Sequence, residues 1–207
     1  MLDQNQLFDA LEISMNEYGE VKDKLFSKVK HYDFLKEKTS LEYMTIRRFA
    51  DMAATVHVML SGYEVSVIVN ESLRNKWGVS VDELFTDALR NMQEQDPIQC
   101  LKLNDAFGLA YGSPLYVVTN SSFINGAAML LCDDFYKTAY EAVGRDFYII
   151  PSSVHEVLVI PKDVAEPCEL RKIVNDINGR PDCISKEDIL SYNIFETTEA
   201  GKLKVVE

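Results

Sequence analysis

The sequence predicts an α+β fold: a mainly antiparallel sheet of about five strands with helices packed on it, preceded by an N-terminal helical segment. Three observations carry this. Strand-length apolar runs at Tyr63–Asn70, Leu115–Thr119, Phe147–Ile150 and Glu156–Ile160 are bounded by short polar turns. Helix-opening signatures recur at Thr39-Ser40-Leu41-Glu42 and Ser80-Val81-Asp82-Glu83. The order of elements pairs strands through short connections, which favours antiparallel neighbours.

Taken in order, the first ~60 residues have helical spacing. Leu7, Leu11, Met15 and Tyr18 form one stripe, and Val21, Leu25 and Val29 continue it after Gly19. A helix opening at the Thr39–Glu42 box carries Leu41, Thr45, Phe49, Ala53, Val56 and Leu60 along one side and stops at Gly62. Residues 1–40 are expected as an N-terminal helical arm and residues 41–207 as a single α+β domain. Tyr63, Val65, Val67 and Val69 alternate as one face of a strand. Asn70 caps a short helix through Trp77 that Gly78 closes, and the Ser80 box opens a helix with Leu84, Ala88 and Met92 that ends before Pro97. Gly126–Leu131 suits a strand or the first turns of a helix; a strand is favoured, with Asp133 capping a separate helix that ends at Gly144. Glu169–Ile177 predicts a helix, Ser185 caps a last short one, and Tyr192–Val206 forms a hairpin around Glu199-Ala200-Gly201.

The 207 residues, 47% hydrophobic and 26% charged, are enough for one buried core without metals or disulfides. No apolar run approaches the ~18–20 residues of a membrane span, and the N-terminus lacks the pattern of a signal peptide. Cys100, Cys132, Cys168 and Cys183 form no CxxC pair and are expected as reduced thiols of a cytoplasmic protein. The net charge of −12 makes direct nucleic-acid binding unfavourable and favours a basic protein partner. Lys22 to Arg48 departs from this, with eight Lys/Arg against four Asp/Glu. Its Lys28, Lys30, Arg47 and Arg48 are candidate partner-binding residues for something acidic, beside the plainer reading of a solvated helix face.

Five blocks in series, IRRFADMAATVHVML, NESLRNKWGVSVDELFTDALRNM, YVVTNSSFINGAAMLL, GRDFYIIPSSVHEVLVIP and LRKIVNDIN, carry a resemblance. Over roughly residues 25–195 the chain resembles an uncharacterised bacterial domain-of-unknown-function family of gut anaerobes and their mobile elements. The resemblance implies a bacterial or phage-borne cytoplasmic protein. It implies no catalytic role.

The richest polar set lies in two turns, Asn120–Asn125 and Pro151–Glu156. If both connect sheet strands at one edge, they gather a nucleophile and a base among the catalytic candidates Ser153, His155 and Glu156, with Asn120, Asn125 and Ser152 as ligand-binding candidates. No G-x-S-x-G elbow, P-loop or GxGxxG accompanies them. Ser and Asn in turns most often satisfy backbone groups. The three histidines form no metal pattern, His57 fits a half-buried structural residue, and His31 fits a helix end; no metal or cofactor is expected.

The expectation is therefore a non-enzymatic binding or regulatory protein acting through protein contacts. One version is an acidic, mobile-element-borne inhibitor of a host nucleic-acid-binding protein. The alternative is a small hydrolase or ligand-binding domain using the Ser/His/Glu/Asn cluster. A third reading has the PSSVHE turn only anchoring the sheet. The oligomeric state has no signature in the sequence.

Overall fold

A ten-residue strand, Met52–Ser61, organises the first half of the protein. The computed structural model describes residues 15–38, 40–61, 65–108, 113–198 and 202–206. Its first elements are α1 (Tyr18–Val21), β1 (Leu25–His31), α2 (Tyr32–Lys38), β2 (Ile46–Phe49), β3 (Met52–Ser61) and β4 (Val65–Ile68). β1 pairs antiparallel along one edge of β3, from Leu25 opposite Val58 to His31 opposite Met52. β2 and then β4 pair along the other edge, Ile46 opposite Thr55 and Ile68 opposite His57.

This corrects the helices expected before residue 60. Residues 41–60 form one 3-10 turn (Leu41–Tyr43) and a β-hairpin, and residues 25–31 are a strand. The reason is a degeneracy of spacing. Residues four apart share a face in a helix and also in a strand, whose period is two. Val21, Leu25 and Val29 are all buried as the stripe required, yet the last two sit on β1. In β3, Met52, Ala54, Val56 and Val58 face the core at 0% exposure, while Ala53, Thr55, His57 and Met59 face the other side, where Ala53 and Thr55 are buried too and His57 and Met59 are half-buried. Leu7, Leu11, Thr39, Gly62 and Tyr63 lie outside the described residues.

The next segment follows the expected signals. Asn70 Oδ1 accepts the Leu73 amide at 2.8 Å to open α3 (Glu71–Trp77), and Gly78 closes it at φ 68°, a conformation that favours glycine. Ser80 and Glu83 form the reciprocal capping box of α4 (Val81–Gln95). α4 lays Leu84, Phe85, Ala88 and Met92 on the Val56 side of the four-stranded sheet.

The second half is a six-stranded, wholly antiparallel sheet. Its elements are β5 (Ile98–Lys102), α5 (Leu103–Phe107), β6 (Tyr116–Asn120), α6 (Phe135–Val143), β7 (Phe147–Pro151), β8 (Val157–Pro161), α7 (Pro167–Asn178), β9 (Phe195–Thr197) and β10 (Leu203–Val205). The order is β10-β9-β7-β8-β6-β5. The terminal hairpin pairs β9 with β10, and its turn at 199–201 lies outside the described residues. Three local expectations are corrected. Gly126–Leu131 is a 3-10 helix, because its apolar residues are buried between the sheets and find no strand partner. α6 starts at Phe135, after Asp134 and with no side-chain cap. Ser185 opens no helix; its hydroxyl donates to Asp188 in a turn.

One core joins the two sheets. Phe147, Ile149, Val157 and Val159 face it from β7 and β8. The alternate residues Ile150 and Ile160 face outward and are covered by Leu170 and Val174 of α7. Trp77 is packed against the main core and donates its indole N–H to the Met15 carbonyl. The α+β class stands, in two antiparallel sheets. Among the described residues, no helix is long and apolar enough to cross a membrane.

Candidate functional site

The β6 end and the β7–β8 turn lie at the same end of the six-stranded sheet, because Val118 and Pro151 both pair with Val157. This brings the two polar turns together. The Asn125 amide donates to His155 Nδ1 at 3.4 Å, and Thr119 Oγ1 donates to the His155 carbonyl at 2.8 Å. Gly126 sits in the contact. A Cβ there would fall 2.1 Å from Thr119 Oγ1 and 2.5 Å from the His155 carbonyl oxygen, so no other residue fits without displacing backbone.

The 120–126 loop is held by its own side chains. Asn120 Oδ1 accepts the Ile124 amide and its Nδ2 donates to the Ile124 carbonyl, at 3.1 and 2.8 Å. Asp96, buried at the end of α4, accepts the Ser122 amide at 2.8 Å and the Ser122 hydroxyl at 2.6 Å. These bonds hold Phe123 at φ 58° and Asn125 at φ 55°. For a bulky residue such as Phe the left-handed region costs roughly 1–2 kcal/mol. The result is an ordered loop that leaves Phe123 39% and Ile124 37% exposed.

Beside the loop is a cleft of 240 Å³ between the two sheets. Phe26, Met59 and Ile124 supply apolar walls; Asn91, Asn120 and Asn125 supply amides. The first of these amides also braces the cleft: Asn91 donates to the carbonyls of Lys22 and Leu25. Asn91, Gln95 and Asp96 were not singled out from sequence. The available signal was Asp87 and Asn91 in the buried stripe of α4, where polar residues need dedicated partners. Asp87 has them: Tyr18 donates to it at 2.7 Å and Arg90 pairs with it at 2.6 Å.

Ser153 is tied into the β7–β8 turn. Ser153 Oγ accepts the His155 amide at 3.1 Å, and the Ser153 amide donates to the Glu156 carbonyl. Both bonds shape the turn. His155 is exposed, and because Nδ1 accepts from Asn125, its neutral ring carries the proton on Nε2. Ser152 belongs elsewhere, on an apolar groove of 290 Å³ between α7 and the outer face of the sheet. Burial pushes the Cys100 thiol up to about 11. Burial, then Asp133 and Asp134, push Cys132 up to about 12, so neither is a thiolate near neutral pH. The four cysteines are free thiols. Among the described residues, no group of three His, Cys, Asp or Glu gathers as metal ligands.

The four basic candidates separate. Lys28, Lys30 and Arg48 share the outer face of the four-stranded sheet, where Lys28 lies opposite Thr55 and both Lys30 and Arg48 lie opposite Ala53. Arg47 points to the covered face, where it stacks on Phe85 at 4.4 Å and pairs with Asp82 at 2.9 Å. His57 lies on the outer face, half-buried on β3. His31 ends β1, 3.8 Å from Asp51.

No curated protein and no solved structure matches the chain. A family model does, and it spans the cleft, both polar turns and all strands but the end of β9 and the whole of β10. With residues 2–196 matched, the chain belongs to DUF5688, a family of unknown function.

Proposed function

We propose that this is a non-enzymatic binding protein that acts through protein contacts at the 120–126 loop and its cleft. The carrying observation is the loop itself. Its backbone is fixed by Asn120 and Asp96 in a conformation unfavourable for Phe123, and the bonds keep two apolar side chains partly exposed beside the cleft. Strain of this kind persists where surrounding structure over-determines it, which is characteristic of binding and switch regions. Aromatic anchors fixed beforehand lose little entropy on association. The net charge of −12 favours a basic partner, and an acidic inhibitor of a nucleic-acid-binding protein is one form this function takes.

The test is site-specific photocrosslinking in cells that naturally express the protein. A photoreactive residue at Phe123 should give a discrete adduct, lost when Asn120→Ala releases the loop. Equal adducts from Phe123 and from a distant exposed site such as Ile177 would contradict the proposal.

The hydrolase reading keeps one favourable observation, the approach of Asn125 to His155. Turnover of an ester panel by the wild-type chain, abolished by Ser153→Ala, would establish it in place of the binding reading. The bonds of Ser153 to the turn favour no turnover.

A further inference from the structure

The outer face of the four-stranded sheet is a second surface with the opposite electrostatic character. Its strand positions are Phe26, Lys28 and Lys30 on β1, Ala53, Thr55, His57 and Met59 on β3, and their partners on β2 and β4. Among the described residues these positions hold no Asp or Glu, in a chain of net charge −12. α2 reaches only one end, where Arg48 lies over the Tyr32 ring at 4.0 Å and Lys30 over Phe34 at 5.8 Å.

The cations here are poorly compensated. Lys28 donates to Ser66 Oγ at 3.1 Å, a neutral partner. Lys30 donates to the Glu187 carbonyl and has one carboxylate, Asp188, at 3.9 Å. Arg48 is exposed and stacked. His57 uses one ring nitrogen on Thr55, and its Nδ1 is buried without a partner. Burial, then the Lys30 charge, lowers the Lys28 ammonium below its ordinary range. Burial, then Lys28 and Lys30, lower the His57 imidazole to about 3. An anion placed over this face would relieve the mutual repulsion of Lys28 and Lys30.

We propose that this face docks an acidic, extended segment of a partner protein, held by Lys28, Lys30 and Arg48. Three observations select that occupant. Lys28 and Lys30 are two residues apart on one strand, about 6.8 Å, the repeat of alternate side chains in an extended peptide. Half-buried Ile46, Met59 and Ile68 lie between and beside the cations and suit the small apolar groups of such a segment. A single-stranded nucleic acid would need exposed rings for its bases, but Phe26 is 7% exposed and Tyr32 is capped by Arg48.

The test uses the full chain and a fluorescein-labelled ten-residue peptide of alternating Glu and Thr, with anisotropy read at low salt. The peptide should bind, and Lys28→Gln with Lys30→Gln should weaken it at least tenfold. Arg48→Gln should weaken it less, and Arg47→Gln, on the covered face, should leave it unchanged. Circular dichroism of each variant verifies folding. Absence of peptide binding, an effect of Arg47→Gln equal to that of the Lys28 and Lys30 changes, or tighter binding of a ten-nucleotide oligo-dT would each overturn the proposal. The cations changed here lie outside the cleft beside the 120–126 loop, which shares only Phe26 and Met59 with this face, so the Lys28, Lys30 and Arg48 variants and the loop variants are read independently.

Discussion

The six-stranded sheet has an apolar layer on both faces, whereas the outer face of the four-stranded sheet carries cations above buried Phe26, Ala53 and Thr55. In β7 and β8, odd and even residues are both apolar: Ile149 and Val159 serve the main core, Ile150 and Ile160 the layer under α7. In β3, alternate residues diverge in chemistry, with Val56 and Val58 in the core while buried Thr55 and half-buried His57 lie on the side of Lys28 and Lys30. A sheet buried on both faces carries stability and offers function only at its ends, where the 120–126 loop sits. A sheet with one open face can also offer the face itself.

The sharpest way to break this contrast is to remove an apolar group from the covered side. Phe85 is 0% exposed beneath the four-stranded sheet. Phe85→Ala should cost about 3–5 kcal/mol, measured by urea unfolding. A loss under about 1 kcal/mol would mean that α4 does not close this core. Next comes the end of the six-stranded sheet. Gly126→Ala drives a methyl into Thr119 and the His155 carbonyl. It should cost about 1–3 kcal/mol, and a neutral result would contradict the close approach of the two turns.

The open face makes a prediction about pH. In the unfolded chain His57 binds a proton near pH 6.5, but in the folded protein burial first, then Lys28 and Lys30, delay this to about 3. Between those values the unfolded state holds more protons, so stability is lost as pH falls from 6.5 toward 3, by at most about 1.4 kcal/mol per pH unit. His57→Gln should flatten the slope measured by urea unfolding between pH 6.5 and 4.5. Parallel slopes for the two proteins would show that His57 is not held neutral. The smallest effect belongs to exposed Arg48: Arg48→Gln should change stability by less than about 0.5 kcal/mol in thermal or urea unfolding. A larger loss would mean that Arg48 is part of the fold and not of an open surface.

How far the sequence carried depends on whether the local chemistry was unique. Asn70 with Gly78, and Ser80 with Glu83, are bonds made within a few residues, and the helices begin where those residues say. Pro151 and Pro161 stand at the last positions of β7 and β8, so the strand pair was legible too. Leu25 and Val29 fit a helix stripe and a strand face equally, and only pairing with distant segments decides between them. β5 follows Pro97 directly, and Gln99 and Lys102 interrupt the apolar run that marks β7 and β8. The polar turns were legible as a cluster, since Asn125 and His155 meet. The cleft wall was not, because Asn91 and Asp96 take their roles from contacts with β1 and the 120–126 loop.

The central claim is that the 120–126 loop is a fixed platform for binding. Amide hydrogen exchange by NMR tests it most directly, at Ser122, Ile124 and Asn125. Their N–H groups are accepted by Asp96 Oδ1, Asn120 Oδ1 and His155 Nδ1. Protection of all three well above intrinsic rates, lost at Ile124 in Asn120→Ala, is the predicted result. Exchange at intrinsic rates in the wild-type chain would mean that the loop is not held, and the binding platform would have no physical basis.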